Sequence, residues 1–130
     1  MANPYYKPEA KASLSIQDFI MTMLHSQTNA HILHLQSRSY SEHKALQGYY
    51  EGIDGIVDDY VEAYQGIYGI VDNYPITYAA PTKPLEYMIS LSAYLTQARP
   101  SLPQDSELMN ILDEMAALID KTIYKLRFLA

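Results

Sequence analysis

Apolar residues recur at three- and four-residue spacing in four separate stretches, and no stretch alternates long enough to make a strand, so the pattern predicts helices alone. The first carries Ile16, Phe19, Ile20, Met23, Leu24 and Leu35 behind Ser15-x-x-Asp18, which reads as a capping box; helix A is predicted over about 14–38. After a break at Arg38-Ser39-Tyr40, Ser41 is a good N-cap with Glu42 in the following turn, and helix B is predicted to about residue 66. The stretch GIYGIVDNYPITYAAPTKP holds two glycines and three prolines, so it reads as a long connection with a short helix at 67–72. Leu85, Met88, Ile89, Leu91 and Leu95 define helix C, stopped by Pro100. Asp105 then caps helix D, where Leu108, Ile111, Leu112, Met115, Leu118, Ile119, Ile123 and Leu126 recur to the C-terminus.

A tight A–B turn, a long B–C link and a short C–D link suit an antiparallel four-helix bundle with one crossover. At 130 residues there is room for one core, assigned to residues 13–130. Residues 1–12, with two prolines and little apolar content, read as an extended arm that docks on a partner through Tyr5 and Tyr6.

Helix B sorts its side chains into three arcs. Leu46, Tyr49, Tyr50, Ile53, Ile56, Val57, Tyr60, Val61 and Tyr64 form the side that faces the core. His43, Gln47, Glu51, Asp54, Asp58 and Glu62 stack at three- and four-residue steps into a polar stripe beside it. Gly48, Gly52 and Gly55 share a third side; each costs about 1 kcal/mol against alanine in a helix interior, which close approach of another backbone would explain. A stripe of this kind is either a solvated face or a ligand set. On helix A, His31 falls on the side of Ile20, Leu24, Gln27 and Leu35, which should face inward; His25 points elsewhere, and His34, at the flank, reads as a bystander.

Composition narrows the partners. Nine Lys and Arg against fifteen Asp and Glu give a formal charge of −6, a field that repels polyphosphate, so nucleic acid is an unsuitable partner. There is no cysteine, which excludes disulfides and thiolate sites and leaves histidine and carboxylate as metal ligands. No run approaches the apolar length of a membrane span and the N-terminus lacks a secretory leader, so a soluble protein inside the cell, or carried in a virion, is expected. Thirteen tyrosines with no tryptophan favour half-buried core and interface positions, and with them a multi-chain assembly.

Taken together, His31-x11-His43-x3-Gln47-x10-Asp58-x3-Glu62 resembles the iron-site signature of the Dps-like mini-ferritins, within the ferritin-like superfamily. The family pattern has two histidines, an acid, an aspartate and a glutamate; four of the five places agree, and Gln47 stands where the family has its first acid. Tyr49-Tyr50 in mid-helix B and the ending IDKTIYKLRFLA add to the likeness, whereas Ile32 replaces a tryptophan that usually follows the first histidine. The resemblance implies a ferritin-like four-helix bundle whose site crosses a twofold interface, with the histidines of one chain facing Asp58 and Glu62 of the other. It further implies iron as the metal, Fe(II) oxidation as the activity, and a homodimer at least, built up to a dodecamer in that family. Glu51, one turn beyond Gln47, is a secondary candidate ligand with Gln47 itself. The family's DNA protection is not carried over, because this arm has only Lys7 and Lys11 beside Glu9.

The alternative is a non-enzymatic ferritin-like bundle that uses its tyrosine-rich surface and proline-rich arm to join a larger assembly, cellular or viral. Other dimetal carboxylate enzymes with this architecture expect Glu-x-x-His on two helices, and the chain has no such motif.

Overall fold

The computed structural model describes residues 15–130, so the arm at 1–12 lies outside the described residues. Four helices form: α1 (Ile16–Gln36), α2 (Tyr40–Tyr68), α3 (Pro84–Ala98) and α4 (Ser106–Tyr124). A 3₁₀ turn at Arg99–Ser101 follows α3, and a π-helical turn at Lys125–Leu129 extends α4. The protein is all-α among the described residues, and none of its helices is long and apolar enough to cross a membrane.

The caps explain the boundaries. The Ser15 hydroxyl accepts the Asp18 N–H at 3.0 Å and opens α1. At α2 the N-cap is Ser39, two residues earlier than Ser41, and its hydroxyl accepts the Glu42 N–H at 3.3 Å. The Glu42 carboxylate in turn accepts the Ser37 hydroxyl at 2.6 Å, so the turn between α1 and α2 closes on its own side chains. No separate helix forms at 67–72: α2 runs on to Tyr68 and ends at Gly69, whose φ of 100° suits only glycine. Pro84 sits at the start of α3, where its missing N–H is not needed. Asp105 occupies the N-cap position of α4 without capping it; its carboxylate accepts the Tyr68 hydroxyl at 2.5 Å instead.

Around the bundle, α1 packs on α2 and α3, and α4 packs on the same two helices. Contacts fix the directions. Gln17 reaches the Asp72 carbonyl just past the end of α2, whereas Asn29, late in α1, bonds Tyr87 at the start of α3. Thus α3 runs parallel to α2 and antiparallel to α1, and the link at 69–83 must travel back along the bundle to begin it.

The core is built from one side of every helix, with Phe19, Met23, Leu46, Ile53, Met88, Leu108 and Leu112 essentially inaccessible. Tyr49 is fully buried, and its hydroxyl lies 2.7 Å from Ser26 Oγ. Because Ser26 donates to the Met23 carbonyl at 2.6 Å, Tyr49 is the donor to Ser26, and every polar atom of the pair is satisfied. Burial pushes the Tyr49 phenol far above its ordinary range, which keeps it a neutral donor. Replacing Ser26 by Ala leaves that phenol without an acceptor and should cost about 1–3 kcal/mol; urea unfolding of the two proteins at equal concentration measures the loss.

Candidate functional site

The turn that joins α1 to α2 gathers a cluster of rings. His34 near the end of α1 is buried, at 6% exposure, and its Nδ1–H donates to the His43 carbonyl at 2.7 Å. His43 answers with Nδ1–H to the His34 carbonyl at 2.8 Å, and the two imidazoles stack with centroids 3.5 Å apart. One turn before His34, the exposed His31 lies flat on Tyr50 of α2, centroid to centroid 4.1 Å. Tyr50 also meets His34 edge-on at 5.2 Å, so one tyrosine braces both.

Two expectations change here. The side of α1 that carries Leu24, His31 and Leu35 faces outward, with Leu35 70% exposed, because α1 buries Ile20, Met23, Ala30 and Leu33 instead. His34 is no bystander: it is the most buried of the histidines and the direct partner of His43. Its signal in the sequence is symmetry about the turn, since positions 34 and 43 are equidistant from the Arg38–Ser39 junction. His25, on another side of α1, stacks edge-on against Tyr78 at 4.9 Å. It lines a cleft of about 240 Å³ between α1 and α3, together with Thr22, Asn29, Tyr87, Ser90 and Tyr94.

The polar stripe of α2 faces outward as a ladder. Glu51, Asp54, Asp58 and Glu62 are all exposed. Gln47 is tied into the ladder, donating to Glu51 at 3.0 Å while accepting from Lys44 at 3.3 Å. An amide at position 47 therefore spares Glu51 a like-charged neighbour one turn away. Asp58 and Glu62 have no such relief. The Asp58 carboxylate beside Glu62 raises the Glu62 carboxyl above its ordinary range, first by sharing a proton and then by repulsion. Neither ion pair among the described residues, Lys83–Glu86 and Arg99–Asp113, touches this stripe.

The glycine side divides. A methyl group at Gly52 would lie 3.0 Å from Leu118 Cδ2, so this glycine admits a side chain of α4 rather than another backbone. At Gly48 the nearest atom would be Lys125 Nζ, at 3.7 Å, and at Gly55 the surroundings are open.

Within one chain the two halves of the expected site stay apart. Asp58 is fifteen residues beyond His43, which at 1.5 Å per residue is about 22 Å of helix. Accordingly, no group of three His, Asp or Glu side chains placed to hold a metal exists among the described residues.

The molecule is thus an all-α four-helix bundle that carries locked histidines at one hairpin and a pair of neighbouring exposed carboxylates farther along the same helix. The chain belongs to the family described as a family of unknown function, DUF5856, whose model matches residues 34–126. That span takes in His34, His43, Asp58 and Glu62 but not His31. No curated protein and no solved structure matches.

Removing one carboxylate of the pair should release the other. In Asp58→Ala the Glu62 carboxyl should titrate lower, toward the range of an isolated glutamate, as followed by carbon NMR of the side-chain carboxyl across pH 3–7.

Proposed function

We propose that the protein is a Dps-like, ferritin-like mini-ferritin whose copies pair about a twofold axis and bind Fe(II) as substrate between His31 and His43 of one chain and Asp58 and Glu62 of its partner, with Gln47 and Glu51 at the margin. What supports this reading is that His31, Asp58 and Glu62 are exposed while His43 and Asp58 lie too far apart along α2 to meet in one chain. Two copies of α2 crossing antiparallel at residue 54 would set Tyr50 opposite the partner's Asp58, and Leu46 opposite the partner's Glu62. His31 is stacked on Tyr50, and His43 lies one turn from Leu46, so each histidine would meet one acid. The open surroundings of Gly55, next to the crossing point, support close approach there. So does the exposed apolar run of Leu24 and Leu35 on the adjoining helix.

Imidazole nitrogen with carboxylate oxygen is a donor set suited to Fe(II), and its negative charge favours the ferric product further. The residues would hold the ion and leave positions for oxygen or peroxide, to which the iron loses its electron. The long link that makes α3 parallel to α2 supports the ferritin-like assignment.

A shared site makes a distinctive complementation test. His43→Ala and Asp58→Asn chains should each be inactive alone. Refolded together in equal amounts they should recover about a quarter of the parent's aerobic ferric absorbance, since half the dimers are mixed and each of these has one intact site. A parent protein that takes up no iron would remove the ferroxidase reading and leave the assembly role.

Gly55 tests the pairing itself. Gly55→Ala should strengthen the free helix by about 1 kcal/mol, and Gly55→Leu should keep native helicity by circular dichroism yet sediment as a monomer. A Gly55→Leu protein that still sediments like the parent would remove the proposed crossing.

A further inference from the structure

The reciprocal bonds across the hairpin specify more than packing. A carbonyl oxygen accepts and cannot donate, so each bond requires the proton on Nδ1, in both His34 and His43. In its neutral form each ring has one N–H, so with that proton on Nδ1 the lone pair lies on Nε2. A half-turn of the His43 ring would exchange Nδ1 for carbon, break its 2.8 Å bond and move Nε2; the His34 ring, face to face at 3.5 Å, leaves no clearance for that turn. The His34 bond also holds the first turn of α2 against α1, which keeps the His34 carbonyl within reach of His43.

Two substitutions separate these functions. Phenylalanine keeps the stacked ring without the donor, and asparagine keeps a donor at the same distance from the backbone without the ring. The buried His34 is not itself placed with two other ligating groups.

We infer that His34 is the positioning residue of His43: its backbone carbonyl accepts the His43 Nδ1–H, and its side chain, stacked on that ring and bonded to the His43 carbonyl, holds ring and carbonyl together so that Nε2 is presented as a ligand. This rests on the reading of His43 as an iron ligand in its last step only. Partners of this kind, hydrogen-bonded behind a ligand, typically change metal affinity 10- to 100-fold.

The test uses the full chain, labelled with nitrogen-15 and free of metal, with long-range proton–nitrogen spectra of the imidazoles at pH 8. The parent should show His43 as the Nδ1–H tautomer. His34→Asn and His34→Ala, which remove the ring stacked on His43, should each return His43 to a mixture of tautomers, with the helicity and sedimentation of the parent, and should bind Fe(II) about 10- to 100-fold more weakly in anaerobic calorimetry. His34→Phe, which keeps the stacked ring and the backbone carbonyl, should retain more of the Nδ1–H tautomer. If His43 keeps its full Nδ1–H tautomer in whichever of His34→Asn and His34→Ala folds, the inference is overturned. A parent that shows the tautomer change on substitution but binds no Fe(II) would overturn the iron reading while upholding the role of His34 toward His43.

Discussion

The antiparallel pairing of α1 with α2 is the constraint from which the other features follow. It is set at two levels: inside, where Tyr49 donates to Ser26, and at the hairpin end, where His34 and His43 exchange bonds across the turn. A helix is free to rotate or slide against its neighbour as long as only apolar surface is in contact. Directional bonds at two levels remove that freedom. Once the register is fixed, His31 must lie on Tyr50, the carboxylates of α2 must face away from α1's buried side, and Gly52 must receive Leu118 from α4.

Charge is distributed with the same consistency. The ion pairs among the described residues lie at the far helices, while the outer face of α2 keeps its carboxylates unneutralised. The neighbouring Asp58 and Glu62 carboxylates, one turn apart, repel through solvent. A cation placed between them, or a partner that brings one, turns that repulsion into attraction. Leu24, His31 and Leu35, exposed on α1, give that side of the molecule a mixed apolar and imidazole character.

Much of the fold was legible in the sequence because helical periodicity and cap chemistry are local. Helices α1, α2 and α3 lie within two or three residues of their predicted spans, α4 reaches the predicted end only with its π-helical turn, and the side of α2 with Leu46, Tyr49, Ile53, Val57 and Tyr60 is its buried side. Errors arose where a distant group decides. Leu24 and Leu35 obey the periodicity of α1, but the stripe that α1 buries is set by where α2 and α3 lie, and both leucines fall outside it. Ser41 and Ser39 are equally good caps by residue type; the Ser37–Glu42 bond closes the turn around the earlier one. The role of His34 depends on a bond nine residues away in sequence, beyond the reach of any single-helix pattern. The spacing that joins His31 and His43 to Asp58 and Glu62 could be read off the chain, but among the described residues the fold does not bring these side chains together.

The hairpin closed by the two histidines also bears on the order of events in folding. Bonds that span nine residues close a short loop, with a small entropy cost compared with joining α1 to α3 across the long link. The α1–α2 pair is accordingly the segment best able to organise first, before the bundle is complete. Its imidazoles would then be oriented while α3 and α4 are still unplaced, so that the chemistry of the hairpin is set ahead of the core that later supports it.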